Sequence, residues 1–298
     1  MSPSRPCPSC GSPDARPSME VKDHSVSGEV FSILACGACG LRYTDGAPGP
    51  GEIGSYYASE DYVSHSDTRQ GLVNRLYHAV RSITIRSKRR MVFRANGGRA
   101  GDLLDYGCGT GAFAAAMRDA GWNVTALEPD ATARENAQSL HGLRPGEPGD
   151  LERLEDSSLD AVTLWHVLEH VHDLQGTLRQ FRRVLRPGGS LFLAVPNHLS
   201  LDARRYGDCW AAWDVPRHLY HFSTESMRGL LEPIGLTVKD TRTMWFDAFY
   251  VSMLSEKYAH GRVRMLQALW SGMLSNANAW LNPGTGSSLI YTVERKGR

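Results

Sequence analysis

From Asp102 onward two hydrophobic periods take turns along the chain. DLLD (Asp102 to Asp105), NVTALE (Asn123 to Glu128), DAVTLW (Asp160 to Trp165) and SLFLAVPN (Ser190 to Asn197) are short, nearly continuous apolar runs, the pattern of buried strands. Between them apolar residues recur at helical spacing. One such stretch follows Gly107, Gly109 and Gly111 and closes near Gly121; another places Leu174, Leu178, Phe181 and Leu185 on one face. Asp173 is the expected N-cap of that second helix and Arg186-Pro187-Gly188-Gly189 its stop. LTVKDTRTM (Leu236 to Met244) and SLIYTVERK (Ser288 to Lys296) add two strands near the end. Strand and helix in alternation predict a doubly wound α/β domain with a parallel sheet. Between the last two strands, Thr243 to Leu281 is helical in character and rich in aromatics: Trp245, Phe246, Phe249, Tyr250, Trp270 and Trp280. That insertion is read as packing on the sheet, as a roof over an apolar pocket or as the face of a homodimer.

Ahead of the alternation the chain changes character. Cys7-Pro-Ser-Cys10-Gly and Cys36-Gly-Ala-Cys39-Gly are two CxxCG knuckles at the separation of a four-cysteine zinc ribbon. Two such turns supply the four thiolates of tetrahedral Zn²⁺, and so short a module has too little core to fold without metal. A closed four-cysteine site leaves no position for water, so Cys7, Cys10, Cys36 and Cys39 are expected to hold a structural ion. DGAPGPGE (Asp45 to Glu52) is a linker. The expected organisation is a ribbon over residues 1–46, a bridge over 47–99 and an α/β domain over 100–298, with the helical insertion at about 243–281. Within the bridge, Tyr56, Tyr57 and Tyr62 are candidate lid residues, and Arg86, Lys88, Arg89, Arg90 and Arg94 form one dense basic helix face.

With 298 residues, 41% of them hydrophobic, the chain can bury a full core. Its 33 Lys and Arg balance 32 Asp and Glu, so no net field draws the whole molecule to nucleic acid, and a polyanionic partner needs a local patch. MSPSRPCPSC carries no apolar signal core, and no apolar run approaches the roughly 18 residues of a membrane span. Four cysteines in two close pairs point to a metal site in a reducing cytoplasm rather than to disulfides.

The glycine turn suggests the cofactor. Strand, glycine loop, helix, strand and acid make a nucleotide-binding unit, but the spacing is GxGxG rather than the GxGxxG that seats a pyrophosphate on a helix N-terminus. A cofactor without phosphates fits better. S-adenosylmethionine needs close backbone approach at the glycines and a carboxylate for its ribose diol, and Glu128 ends the second strand. LLDYGCGTGAF, with Asp105, Gly107, Cys108, Gly109 and Gly111, resembles the first motif of class I S-adenosylmethionine-dependent methyltransferases. ALEPD, with Glu128 and Pro129, resembles their second. The resemblance implies a seven-stranded, mostly parallel sheet with its last strand antiparallel. It also implies adenine contacts at Asp150 and Leu151, and Trp165 at the cofactor edge of the fourth strand.

LWHVLEHVHD (Leu164 to Asp173) then follows the fourth strand, at the carboxyl edge where such folds bind ligands. Its HxxEH letters match a zinc-peptidase motif, but the strand context excludes that reading. Three readings stay open. His166 or His170 is a general base; or Glu169 and His170 hold a divalent ion, as in the quinone and RNA-tail methyltransferases that the segment resembles; or Glu169 and His170 are satisfied by backbone. GDCWAAWDVPRHLYHFS (Gly207 to Ser223) resembles a segment of zinc-ribbon methyltransferases linked to polysaccharides and secondary metabolites. Candidate acceptor contacts are therefore Trp213, Arg217, His218 and His221, with Tyr57 as lid; Arg217 paired to Asp214 is the structural alternative. The expected activity is methyl transfer to an oxygen or carbon of a small-molecule acceptor such as a sugar, a polysaccharide precursor or a natural product. Ribosomal RNA methylation and a non-catalytic binding module are the alternatives.

Overall fold

The computed structural model describes residues 6–57 and 72–296, so the lid expectation for Tyr62 falls outside the described residues. The chain begins with an antiparallel meander: β1 (Ala15–Lys22), β2 (Val30–Cys36) and β3 (Arg42–Thr44). Helix α1 (Leu72–Ala95) leads to the large sheet, whose strands are β4 (Asp102–Tyr106), β5 (Asn123–Leu127), β6 (Leu159–Trp165), β7 (Leu185–Pro196), β9 (Leu236–Thr243) and β10 (Ser288–Arg295). Their order is β5-β4-β6-β7-β10-β9, with β10 antiparallel to both neighbours and the rest parallel.

Strand periodicity sorts side chains onto the two faces. Leu104, Leu191 and Leu193 join Leu178 and Phe181 of α4 (Leu174–Val184) and Leu230 of α6 (Thr224–Leu231) in one core. Leu103, Phe192 and Ala194 meet Met91 and Val92 of α1 and Phe113 and Met117 of α2 (Ala112–Arg118) in the other. Asp173 caps α4 by accepting from Gly176 N at 2.9 Å, and Asp130 caps α3 (Ala131–His141) on Ala133 N at 2.7 Å.

The strand count corrects the expectation of seven. Among the described residues the third strand shrinks to one parallel bridge, Leu127 to Gly146, made by Gly146 N to Ala126 O and Glu128 N to Gly146 O at 2.9 Å each. Pro145 and Pro148 flank that glycine and have no N–H to extend a ladder. The predicted stop at Arg186–Gly189 also differs. Leu185 already pairs with Leu159, and an irregularity between Leu159 and Ala161 absorbs the extra residues into β7.

The small sheet does not stand apart. β8 (Tyr220–His221), from the WDVPRHLYHF segment, adds to β3 with Tyr43 opposite Tyr220 and Arg42 opposite His221. Cys7, Leu34, Cys36, Leu41 and Tyr43 consequently share one core with Leu164, Leu219 and Tyr220. The insertion forms an α-hairpin, α7 (Asp247–His260) and α8 (Met265–Leu281). Buried Asp202, in α5 (Leu201–Tyr206), fastens that hairpin: it accepts from Trp210 Nε1 at 2.8 Å and from the hydroxyls of Ser275 and Ser287 at 2.6 Å each.

Arg217 joins the pieces. Only 1% of its side chain is exposed, and it donates to Asp23 at 3.0 Å, to Asp214 at 2.7 Å and to the Tyr56 carbonyl at 2.7 Å. Asp23 also accepts three backbone N–H groups of the β1–β2 turn, from Ser25, Val26 and Ser27. Burial works against its charge, but the Ser27 N–H and the Arg217 guanidinium outweigh it and hold the carboxyl below its usual range. Breaking a buried pair leaves an uncompensated charge behind. Asp23→Ala is therefore expected to lower the unfolding free energy in urea by about 3 kcal/mol. A loss under about 0.5 kcal/mol, the level of a surface pair, would show that water reaches the guanidinium.

Candidate functional site

β4 delivers the chain to a turn in which Gly107, Gly109 and Gly111 all have positive φ, +71°, +54° and +79°. At Gly107 a Cβ would come within 2.5 Å of Val167 Cγ2, so the loop after β6 packs where a side chain would have to be. Gly109 faces open space, and its N–H is aimed at Glu128 Oε2 at 2.8 Å. Asp130 N holds the other oxygen at 3.0 Å. The carboxylate that ends β5 is thus fixed at the mouth of the glycine turn, 6% exposed. Pro129 turns the chain there, and its carbonyl accepts from Arg134, which also binds the Glu128 carbonyl. Arg134 has no visible role in the sequence, since a lone arginine in the first turn of α3 looks like solvated surface.

Beneath the turn lies Asp105, 1% exposed. Oδ1 accepts the Thr163 hydroxyl at 2.7 Å, while Oδ2 is buried without a hydrogen-bond partner. Burial pushes this carboxyl up to about 7, against the pull of Thr163 and Lys88. Lys88, expected on the dense basic face of α1, turns toward the site. Its Nζ lies 4.2 Å from the centroid of the Trp165 ring, and desolvation lowers its pKa to about 8 despite Asp247 and Asp105 nearby. Trp165 is gripped edge-on by Phe113, with centroids 5.2 Å apart. Cys108 lines the turn as a thiol whose pKa burial raises. Asp150 is engaged by Glu147 N at 3.1 Å and Arg153 at 2.6 Å, in the capping box of a 3₁₀ turn, and Leu151 is buried beside it.

LWHVLEHVHD is not an α-helix. His166 takes a left-handed φ of +59° directly after β6, and Leu168–His170 make a single 3₁₀ turn. This throws His166 outward. Its Nε2 meets Asp247 Oδ2 at 2.9 Å, and its Nδ1 lies 3.5 Å from Glu169 Oε1. Burial lowers the imidazole's pKa, but the two carboxylates, Asp247 foremost, overcome that and raise it to about 9. Asp247 opens α7, in the helical insertion, so only the tertiary fold brings it here; no local pattern marks it.

Glu169 turns inward, fully buried, and neither oxygen has a hydrogen-bond partner. Facing it are His170 and His218, whose ligand atoms and the carboxylate's lie within 4.8 Å of one another. His170 Nδ1 is 3.0 Å from the Arg217 carbonyl and 3.0 Å from the Tyr57 hydroxyl; His218 Nδ1 is 2.9 Å from the Ala212 carbonyl. A carbonyl on Nδ1 calls for a proton there and leaves Nε2 as the acceptor. Burial, with His218 adjacent, pulls His170 down to about 4.

The other expected acceptor contacts are corrected. Arg217 is enclosed by its three partners and presents no fork to a ligand. Trp213 is 3% exposed and donates to the Gly207 carbonyl at 2.8 Å, and His221 is buried against Thr44 Oγ1 at 3.1 Å. These side chains are consumed in docking the ribbon sheet, where an aromatic-rich segment looks the same in sequence as a binding loop. At the far end, Cys7 Sγ–Cys39 Sγ and Cys10 Sγ–Cys36 Sγ are each 3.6 Å apart, and all four sulfurs lie within 4.8 Å of one another. A tetrahedral ion at about 2.3 Å from each sulfur needs edges near this length.

A family model described as a methyltransferase domain matches residues 78–241. Curated relatives include a malonyl-[acyl-carrier protein] O-methyltransferase of Erwinia billingiae, 34% identical over 58% of this chain and 69% of the relative. A ubiquinone biosynthesis O-methyltransferase of Xanthomonas oryzae is 38% identical over 40% of this chain and 54% of the relative. The chain thus spans about half to two thirds of the length of the curated relatives it matches. Among solved structures, magnesium protoporphyrin IX methyltransferase from Synechocystis superposes with a TM-score of 0.54 over 83% of this chain and 100% of that one, at 16% identity, which supports the fold. The family model covers more than half of the chain, including the glycine turn, Glu128 and the segment after β6, and on that ground the chain belongs to the class I S-adenosylmethionine-dependent methyltransferases.

Proposed function

We propose that the protein transfers the methyl group of S-adenosylmethionine to an oxygen or carbon of a small-molecule acceptor, with His166 as the base. The observation that carries this reading is the His166–Asp247 pair just beyond β6, on the same sheet edge as Glu128 and the glycine turn. The residues suit the cofactor: Glu128 offers a fixed carboxylate for a ribose diol, Gly109 opens onto free space, and the unpartnered Asp105 Oδ2 awaits a donor. When bound, the sulfonium supplies an electrophilic methyl. An acceptor beside it would give up its proton to the neutral His166 imidazole, whose positive form Asp247 would stabilise. Two relatives named as O-methyltransferases support oxygen as the acceptor atom. A sugar, polysaccharide precursor or natural product is the expected acceptor class, and the four cysteines are read as a structural zinc site.

A specific observation favours a second reading, a divalent ion on Glu169, His170 and His218. Glu169 is a fully buried carboxylate with no hydrogen bond and only the His166 imidazole, 3.5 Å away, to offset its charge, and a cation would compensate it further. Carbonyls on both Nδ1 atoms orient the imidazoles as second partners do in metal centres.

Three measurements test these readings. Protein purified without added zinc is expected to carry about one equivalent of zinc on the cysteines, lost in Cys36→Ser along with thermal stability. Glu128→Ala should weaken S-adenosylhomocysteine binding by roughly 1–3 kcal/mol in calorimetry; unchanged affinity would remove the ribose assignment. The third concerns His166. Because its folded pKa is raised to about 9, the base form is scarce below that pH, and turnover should climb as pH rises toward 9. Asp247→Asn removes the largest raising influence and should shift the profile to lower pH, while His166→Ala should cost on the order of 10²–10⁴ in turnover. If turnover instead survives in His166→Ala and collapses in Glu169→Gln, and chelation abolishes it with the ribbon zinc retained, the divalent-ion reading replaces the base.

A further inference from the structure

Helix α8 is assembled the wrong way round for a helix facing water. Its buried positions are small: Ala268, Ser271, Gly272, Ser275 and Ala279. Gly272 lies so close to Phe249 of α7 that a Cβ would come within 2.5 Å of that ring. The large apolar side chains point outward instead. Leu266, Leu269, Trp270, Met273, Trp280 and Leu281 are 79%, 43%, 54%, 49%, 75% and 69% exposed, and their spacing makes one stripe along the helix. At about 1.5 Å per residue this helix runs roughly 25 Å. The stripe is joined by Trp245 and Phe246, 44% and 40% exposed, just before Asp247. Asn276 of α8 donates to the Trp245 carbonyl at 2.7 Å, so the two parts form one surface. Eleven of the sixteen large apolar side chains exposed among the described residues fall between Trp245 and Leu281. Scattered exposed apolar residues need no explanation; a continuous stripe does.

Charge and composition identify the occupant. From Lys257 to Val293 there is no aspartate or glutamate, while Lys257, Arg262 and Arg264 stand at the α7–α8 turn. Arg264 is the residue just before α8, at the end where the helix dipole disfavours a cation and favours an anion. Glu256, the acid nearest that turn, is 4% exposed and already near Arg264 at 3.6 Å. The stripe holds no side chain that could pair across a protein interface except the indole N–H groups, whereas an interface between proteins carries a hydrogen bond every 100–200 Å² or so. An apolar stripe with indoles and a basic flank is the composition of a helix lying in a lipid headgroup layer. We propose that the α7–α8 hairpin docks the protein on the surface of a bilayer containing anionic lipid. Because Trp245 and Phe246 precede the residue that holds His166, docking places the mouth of the site at the lipid surface. The inference rests on the exposed stripe and does not require the methyl-transfer reading.

Co-sedimentation of the full chain with phosphatidylcholine vesicles, with and without phosphatidylglycerol, tests it. Binding to the anionic vesicles is expected, weakened by salt, with a blue shift of tryptophan emission. Leu266→Glu combined with Trp280→Glu should reduce the bound fraction at least about tenfold, while Val30→Glu, at an exposed apolar position on the ribbon sheet, should leave it unchanged. Circular dichroism and S-adenosylhomocysteine affinity should be the same in all three proteins; equal affinity also separates failure of docking from failure of the cofactor assignment. No binding to either vesicle overturns the proposal, as does binding that the double variant retains. Sedimentation velocity shows which surface replaces it: a dimer that the double variant dissociates makes the stripe a contact between copies.

Discussion

A buried guanidinium must be neutralised wherever the chain puts it, and at Arg217 the neutralising groups come from three places. Asp23 belongs to the first hairpin of the ribbon, the Tyr56 carbonyl to the bridge, and Asp214 to the segment that carries Arg217 itself. The charge can be buried only when all three have assembled, so the ribbon and the α/β domain cannot adopt independent orientations. The same segment reaches the site from the other side. The Arg217 carbonyl faces His170 Nδ1, His218 lies beside Glu169, and Leu219 N binds the Glu169 carbonyl at 2.8 Å. The ribbon is thereby coupled mechanically to the loop after β6. Its contribution is to hold WDVPRHLYHF against that loop, and the four-cysteine corner anchors the meander that does so.

What was legible in the sequence follows from how local the signal was. The glycine turn, Glu128 and the CxxCG knuckles depend on residues close in the chain, with backbone requirements that few residues satisfy. The alternation of apolar runs and helical spacing located the strands because each buried strand must be apolar on both faces. Asp247 and Lys88 were not legible as site residues, because their meaning comes from the crossing of α7 and α1 with the edge of β6. Arg217, Trp213 and His221 were read as acceptor contacts for a related reason. An aromatic and charged loop that seals two sheets together has the same letters as one that grips a ligand, and only burial separates them. His166 lies between these cases: its place after the fourth strand was visible, but not the left-handed backbone that separates it from Glu169 and sends the two side chains in different directions.

The site also shows how one short stretch supports opposite electrostatic states. His166 and His170 are four residues apart, yet one imidazole is driven toward its charged form and the other held neutral. The difference lies in the partners: carboxylates on both nitrogens of His166, and on His170 Nδ1 a carbonyl and a phenol, with His218 beside the ring. Glu169 lies between them. A charged and a neutral imidazole can therefore coexist within one turn of chain.

The shortened third strand has a consequence for solubility. With only the bridge at Gly146 beyond it, β5 is the outermost full strand on its side of the sheet, and an open strand edge invites pairing with another chain. Here the segment alongside that edge is LRPGEPG, whose prolines cannot donate to an incoming strand and whose single bridge already occupies the amide of Glu128 and the carbonyl of Ala126. The residues that prevent a seventh strand from forming thus also deny the edge to self-association, which spares the protein the aggregation that a bare parallel sheet would risk.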